Sequence, residues 1–84
     1  MPEVTVYTSS GCAFCVAAKQ LLASIEARFE EIRLDQDPEL RLKLSEENNG
    51  WRTVPMIFIG QRFIGGFQEL MSLHQRGELV RMIS

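Results

Sequence analysis

Cys12 and Cys15 are the only two cysteines of the 84-residue chain, and they stand three positions apart. Ser9-Ser10-Gly11 precedes them as a turn signal, and a run rich in Ala, Leu, Lys and Gln follows. The pair therefore falls where a strand gives way to a helix. Free N–H groups and the positive dipole end at a helix start favour negative charge on Cys12, lowering its thiol pKa toward neutrality or below. A thiolate is the form that attacks a disulfide. Cys15, one turn further in, is close enough to attack a mixed disulfide on Cys12 and resolve it. The spacing thus supplies an attacking thiol and a resolving thiol.

Other readings of the pair stay open at this level. A staple is disfavoured, because a bridge between such close positions closes almost no loop and adds little stability. Two buried structural cysteines are common, although a Ser-Ser-Gly turn is a poor place to bury one. Zinc needs four ligands, and beyond these two the chain offers only His74, 59 positions past Cys15. A chance CxxC match is the last alternative.

Two further segments have chemistry-bearing composition. Arg52-Thr53-Val54-Pro55 opens a strand. Proline is tolerated there with either a trans or a cis peptide bond, and a cis bond would turn the Val54 backbone outward to pair with an extended substrate. Gly65-Gly66-Phe67-Gln68-Glu69 precedes a helix, where glycines permit close backbone approach and free N–H groups suit a carboxylate. A plain hairpin-to-helix turn explains the same residues.

The elements that must position these groups follow from periodicity. Val4-Thr5-Val6-Tyr7-Thr8 is β-branched and aromatic and predicts the first strand. From Ala13 to about Arg28, Ala18, Leu21, Leu22, Ile25 and Phe29 recur at three and four, one face of a helix. Glu31-Ile32-Arg33-Leu34 alternates as a second strand. Asp37 is placed to cap a second helix, with Pro38 at its first position and Asn48-Asn49-Gly50 at its end. Leu40, Leu42 and Leu44 alternate as a strand would, but the cap and the charged composition favour helix. Val54–Ile59 and Arg62–Ile64 predict a hairpin across Gly60-Gln61, a turn of the II′ kind. Phe67, Leu70, Met71 and His74 have helical spacing, and Gly77 marks the end. The order is βαβαββα in one domain, residues 1–84: an α/β fold with a mixed four-stranded sheet flanked by helices. A CxxC beside a βαβ pattern is the setting of a thioredoxin-type redox motif.

Composition narrows the function classes. The chain is 45% hydrophobic and 24% charged with net charge −2, ordinary for a globular domain. No stretch approaches the roughly 20 apolar residues of a membrane span. Lys19, Arg41 and Lys43 are too dispersed for a nucleic-acid patch. Met1-Pro2-Glu3 is acidic where a secretory signal is basic, so a reducing cytoplasm is the expected compartment.

Together, the strand Val4–Thr8, Cys12-Ala13-Phe14-Cys15, Thr53-Val54-Pro55 and Gly65-Gly66-Phe67 resemble a dithiol glutaredoxin in order and spacing over essentially the whole chain. The resemblance implies a thioredoxin-like fold, a cis Pro55 and glutathione as co-substrate, with no metal in the main reading. It implies Cys12 as nucleophile toward glutathionylated proteins and small disulfides, Cys15 as resolving thiol, and a monomer with glutathione and disulfide-bearing clients as partners. It further implies a glutathione site of Phe14, Arg52, Thr53, Val54, Pro55, Gly66, Phe67, Gln68 and Glu69. Several positions depart from the family pattern. Ser9 stands where a lysine is usual, leaving Arg52 as the substitute cation. Ala13 and Phe14 replace a frequent proline and tyrosine, and Gln68-Glu69 a pair that often contains aspartate. Trp51 recurs in the single-cysteine branch, though a residue covering the core edge explains it equally. Two other functions share these residues. One is a dimer holding a [2Fe–2S] cluster through Cys12 and glutathione. The other keeps the chemistry but draws electrons from a flavin disulfide reductase.

Overall fold

A computed structural model describes residues 2–84. Four strands, β1 (Val4–Thr8), β2 (Phe29–Arg33), β3 (Met56–Ile59) and β4 (Arg62–Gly65), form one sheet in the order β2-β1-β3-β4. β1 runs parallel to β2 and antiparallel to β3, and β3–β4 is an antiparallel hairpin. The helices are α1 (Ala13–Ser24), α2 (Pro38–Glu47), α3 (Phe67–Gln75) and α4 (Glu78–Ile83). The mixed sheet with flanking helices is the expected thioredoxin-like architecture.

Strand alternation splits the interior into two layers. Val4 and Val6 of β1 pack with Ala18 and Leu22 of α1, Ile57 and Ile59 of β3, Leu70 of α3 and Leu79 of α4. Tyr7, pointing the other way along the same strand, joins Leu34, Leu44, Met56, Phe58 and Trp51 beneath α2. β1 is thus covered on both faces, and the site-bearing loop leaves from its buried end.

Several boundaries differ from expectation. α1 stops at Ser24, not near Arg28, because Glu26 takes a left-handed φ of 58°. The Ala27 N–H then bonds the Leu22 carbonyl at 2.9 Å and the Glu26 N–H bonds Ala23 at 3.0 Å, a Schellman end built without glycine. Phe29 consequently leaves the helix and opens β2 opposite Val4, so β2 begins two residues earlier than Glu31. β3 begins at Met56, with Val54 and Pro55 in the loop ahead of it. Beyond Gly77, whose φ is 73°, the chain forms α4 and buries Leu79 completely. The expected α2 is present: Asp37 accepts the Leu40 N–H at 3.0 Å, and Asn49 and Gly50 end the helix with φ of 60° and 77°.

The end of β1 is tied to β2 by polar contacts. Thr8, 2% exposed, donates its hydroxyl to Glu31 Oε2 at 2.7 Å, and Lys19 Nζ lies 3.1 Å from both Glu31 oxygens. Asp35 accepts the Ser10 N–H at 2.9 Å and the Ser10 hydroxyl at 2.5 Å, while Arg33 Nη2 contacts Asp35 at 2.9 Å and also Ser10. The Thr8 hydroxyl, aided by Lys19 and Arg33 and opposed by partial burial, holds the Glu31 carboxyl below its ordinary 4.5. Ser10, through hydroxyl and backbone and then with Arg33, lowers Asp35 below 3.8.

Two outcomes are expected. Leu22→Ala, at a wholly buried position, should lower unfolding free energy by about 2–5 kcal/mol in urea titration. With a folded-state pKa below 4.5, Glu31 contributes stability that is full above that value and is lost as pH falls through the folded pKa. The urea midpoint should therefore fall on acidification below that value, and Glu31→Gln should make the fall shallower.

Candidate functional site

Cys12 is the N-cap of α1, with extended φ/ψ of −102° and 104°. Its backbone C=O accepts the Val16 N–H at 3.2 Å, while its sulfur accepts the Cys15 N–H at 3.0 Å. A sulfur in this position receives a donor from the first helical turn and lies at the positive end of the α1 dipole, both of which favour a thiolate over a thiol. The two cysteines are joined as a disulfide with Cα atoms 5.2 Å apart. Cys15 is 2% exposed and Cys12 is half-buried. Cys12 is therefore the more open of the two sulfurs to an incoming partner.

The loop ahead of β3 closes over the pair. Val54–Pro55 is a cis peptide, as the resemblance implies, and the Val54 carbonyl oxygen lies 3.5 Å from Cys12 Sγ. On this side runs a groove of about 240 Å³ lined by Phe14, Trp51, Thr53, Val54, Pro55, Gly66, Phe67, Gln68 and Glu69. It thus brings together eight of the nine residues expected at a ligand site. The Phe14 and Phe67 rings stack at 5.9 Å with planes 24° apart, joining the α1 start to the α3 start. A larger cleft, about 730 Å³ beside Phe29 and Ile83, contains none of these residues.

The glycine pair has a divided role. Gly65 has φ 121°, and a Cβ there would sit 2.8 Å from Glu69 Cγ, so both conformation and space demand glycine. Gly66 has a φ open to other residues, and its N–H donates to Glu69 Oε1 at 2.9 Å. Glu69 thus folds back on the turn that forms the groove wall.

Arg52 is the residue left outside the groove. Its side chain is exposed and lines a neighbouring cleft with Arg41 and Trp51. Arg41 Nη2 donates to the Arg52 carbonyl at 3.1 Å, bracing the segment that leads to Thr53 and Val54. Arg41 carries no sequence signal for this role, because only the packing of α2 against this loop brings it near. Trp51 packs against the core edge, one of its two expected roles, and lines the groove as well: its ring meets Phe63 edge-on at 5.3 Å. His74 lies on α3, outside the groove. Among the described residues, no three His, Cys, Asp or Glu side chains converge as a metal-binding group.

Comparison with known proteins agrees with this geometry. A family model for glutaredoxin matches residues 4–64. A glutaredoxin of Pseudomonas aeruginosa is 42% identical over 84 residues, covering 100% of this chain and 99% of that protein. A Neisseria meningitidis glutaredoxin is 42% identical over 80 residues, covering 94% and 93%. The structure of a buckwheat glutaredoxin–glutathione complex superposes with a TM-score of 0.92 at 34% identity, covering 98% of this chain and 76% of that one. The solution structure of Brucella melitensis glutaredoxin gives 0.88 at 41% identity, covering 99% and 89%. No helix among the described residues is long and apolar enough to cross a membrane. With a redox-active pair at disulfide distance and a family match over most of its length, the chain belongs to the glutaredoxin family of oxidoreductases.

Proposed function

We propose that this protein uses glutathione to reduce glutathionylated proteins and small disulfides, with Cys12 as nucleophile and Cys15 as resolving thiol. The observation that carries the assignment is the asymmetry of the pair. Cys12 is half-buried at the helix start and accepts the Cys15 N–H, whereas Cys15 is almost fully buried. In the reduced protein the same N–H stabilises a thiolate on Cys12.

Toward a glutathionylated client, the Cys12 thiolate attacks the glutathione sulfur. The client sulfur leaves as a thiolate and takes a proton from solvent, and Cys12 carries glutathione in a mixed disulfide. A second glutathione thiolate then attacks the glutathione sulfur, releasing glutathione disulfide and restoring the Cys12 thiolate. Toward a client disulfide, Cys12 forms a mixed disulfide with the client. Cys15 then loses its proton and attacks the Cys12 sulfur, releasing the reduced client. Two glutathiones reopen the Cys12–Cys15 bridge and leave as their disulfide.

The groove suits an extended tripeptide. The Val54 backbone pairs with the cysteinyl part, as a strand would, and Thr53 and Pro55 flank it. Phe14 and Phe67 cover the apolar stem. Because the Gly66 N–H is already bonded to Glu69, the first-turn N–H groups of Phe67 and Gln68 are the ones left to receive the γ-glutamyl carboxylate. Arg52, with Arg41 beside it, is the cation for the glycine carboxylate in place of the lysine that Ser9 replaces. The buckwheat protein, so similar in fold, forms a complex with glutathione. The protein acts as a monomer in the cytoplasm. The cluster-carrier reading gains no support from Ala13, an exposed residue at the first position of α1, where proline fits a helix equally well.

The test is glutathione-dependent reduction of a glutathionylated peptide by wild type and two variants. Cys12→Ser should fall to the uncatalysed rate. Cys15→Ser should keep a rate of the same order as wild type on that substrate and lose turnover on protein disulfides. Turnover by Cys12→Ser would overturn the assignment.

A further inference from the structure

A second cleft, about 450 Å³, reaches both cysteines and shares no residue with the groove. Its charged lining is Lys19 from α1 with Glu31 and Arg33 from β2. Lys19 is four residues beyond Cys15, so the two side chains lie on one face of α1. Its ammonium is 3.1 Å from both Glu31 oxygens, and Glu31 is held in turn by the buried Thr8 hydroxyl. Arg33 is already balanced by Asp35 at 2.9 Å. The loop at residues 9–11 adds no charge on this side, and the Glu69 carboxylate belongs to the groove. The Lys19 and Glu31 side chains are 32% and 31% exposed, so their fields are only partly screened.

Opening the Cys12–Cys15 bridge places a thiolate where the disulfide carries no charge. A lone cation in this cleft would favour the dithiol state, and a lone anion would favour the disulfide. We infer that the Lys19–Glu31 pair is a charge-balanced tuning element for the Cys12–Cys15 couple, holding its reduction equilibrium between the values that either charge alone would impose. Both are positioning residues that act through the field at the sulfurs. The inference rests on the Cys12 thiolate of the proposed function and not on recognition of glutathione.

The experiment equilibrates the protein with mixtures of 2-mercaptoethanol and its disulfide, so glutathione plays no part. Two mercaptoethanol thiols supply two electrons and become one disulfide. The Cys12–Cys15 bond breaks, Cys15 takes one proton, and the second goes to solvent, leaving Cys12 as the thiolate of the proposed function. Lys19→Met leaves Glu31 uncompensated and should shift the equilibrium toward the disulfide. Glu31→Gln frees the ammonium and should shift it toward the dithiol. Each shift should be roughly three- to ten-fold at low ionic strength and should shrink with added salt. Lys19→Arg should keep the wild-type equilibrium, the double variant should lie between the single ones, and Lys19→Gln serves if the methionine variant does not fold. The thiolate absorbance of Cys12 should titrate at higher pH in Lys19→Met and at lower pH in Glu31→Gln. Shifts in the same direction for both variants, or none in either, would overturn the inference. A wild-type bridge that this couple cannot open reversibly would overturn the dithiol reading itself, and the inference with it.

Discussion

The hydrogen bond from the Cys15 N–H to the Cys12 sulfur, at 3.0 Å, is the constraint on which the site depends. It exists only because Cys12 occupies the N-cap, where backbone donors are unpaired and a sulfur can stand in for the usual oxygen. That placement requires the chain to leave β1 and enter α1 within four residues. It also requires α1 to lie against the sheet through Ala18, Leu21 and Leu22. A shift of one residue in this register would put a side chain without a nucleophile at the cap.

The surroundings of the pair follow from that anchor. Val4 and Val6 hold β1 in the interior, and the polar ties of Thr8 and Ser10 to Glu31 and Asp35 hold its departing end to β2. From the other side, the cis Val54–Pro55 segment and the Gly65–Glu69 turn bring backbone from β3 and α3 against the start of α1. Two clefts result. The groove is lined by Phe14, Trp51, Phe67 and the Thr53–Pro55 segment, while the second is lined by the paired charges of Lys19 and Glu31.

Much of this was legible in the residues. The caps Asp37 and Asn49-Gly50, the β-branched runs and the Gly60 turn are local signals with local causes, and they located their elements. The end of α1 was not legible, because a Schellman turn normally advertises itself with glycine and here Glu26 takes the left-handed conformation. Continued apolar spacing through Ile25 and Phe29 then mimicked a longer helix, although Phe29 belongs to β2. The short helix α4 was missed because it spans six residues and is stabilised by docking Leu79 into the core rather than by its own propensity.

The sequence by itself determined which two sulfurs react and that a helix start would activate one of them, since spacing and capping act over a few residues. Tertiary structure alone decided which sulfur is open to attack, because burial depends on what packs above each one. It likewise decided that Arg41 braces the Arg52 carbonyl and that Lys19 and Glu31 pair beside the cysteines. Those partners are 11 and 12 residues apart in the chain, and only the packing of α2 on its loop and of α1 along β2 brings each donor within hydrogen-bond reach of its acceptor.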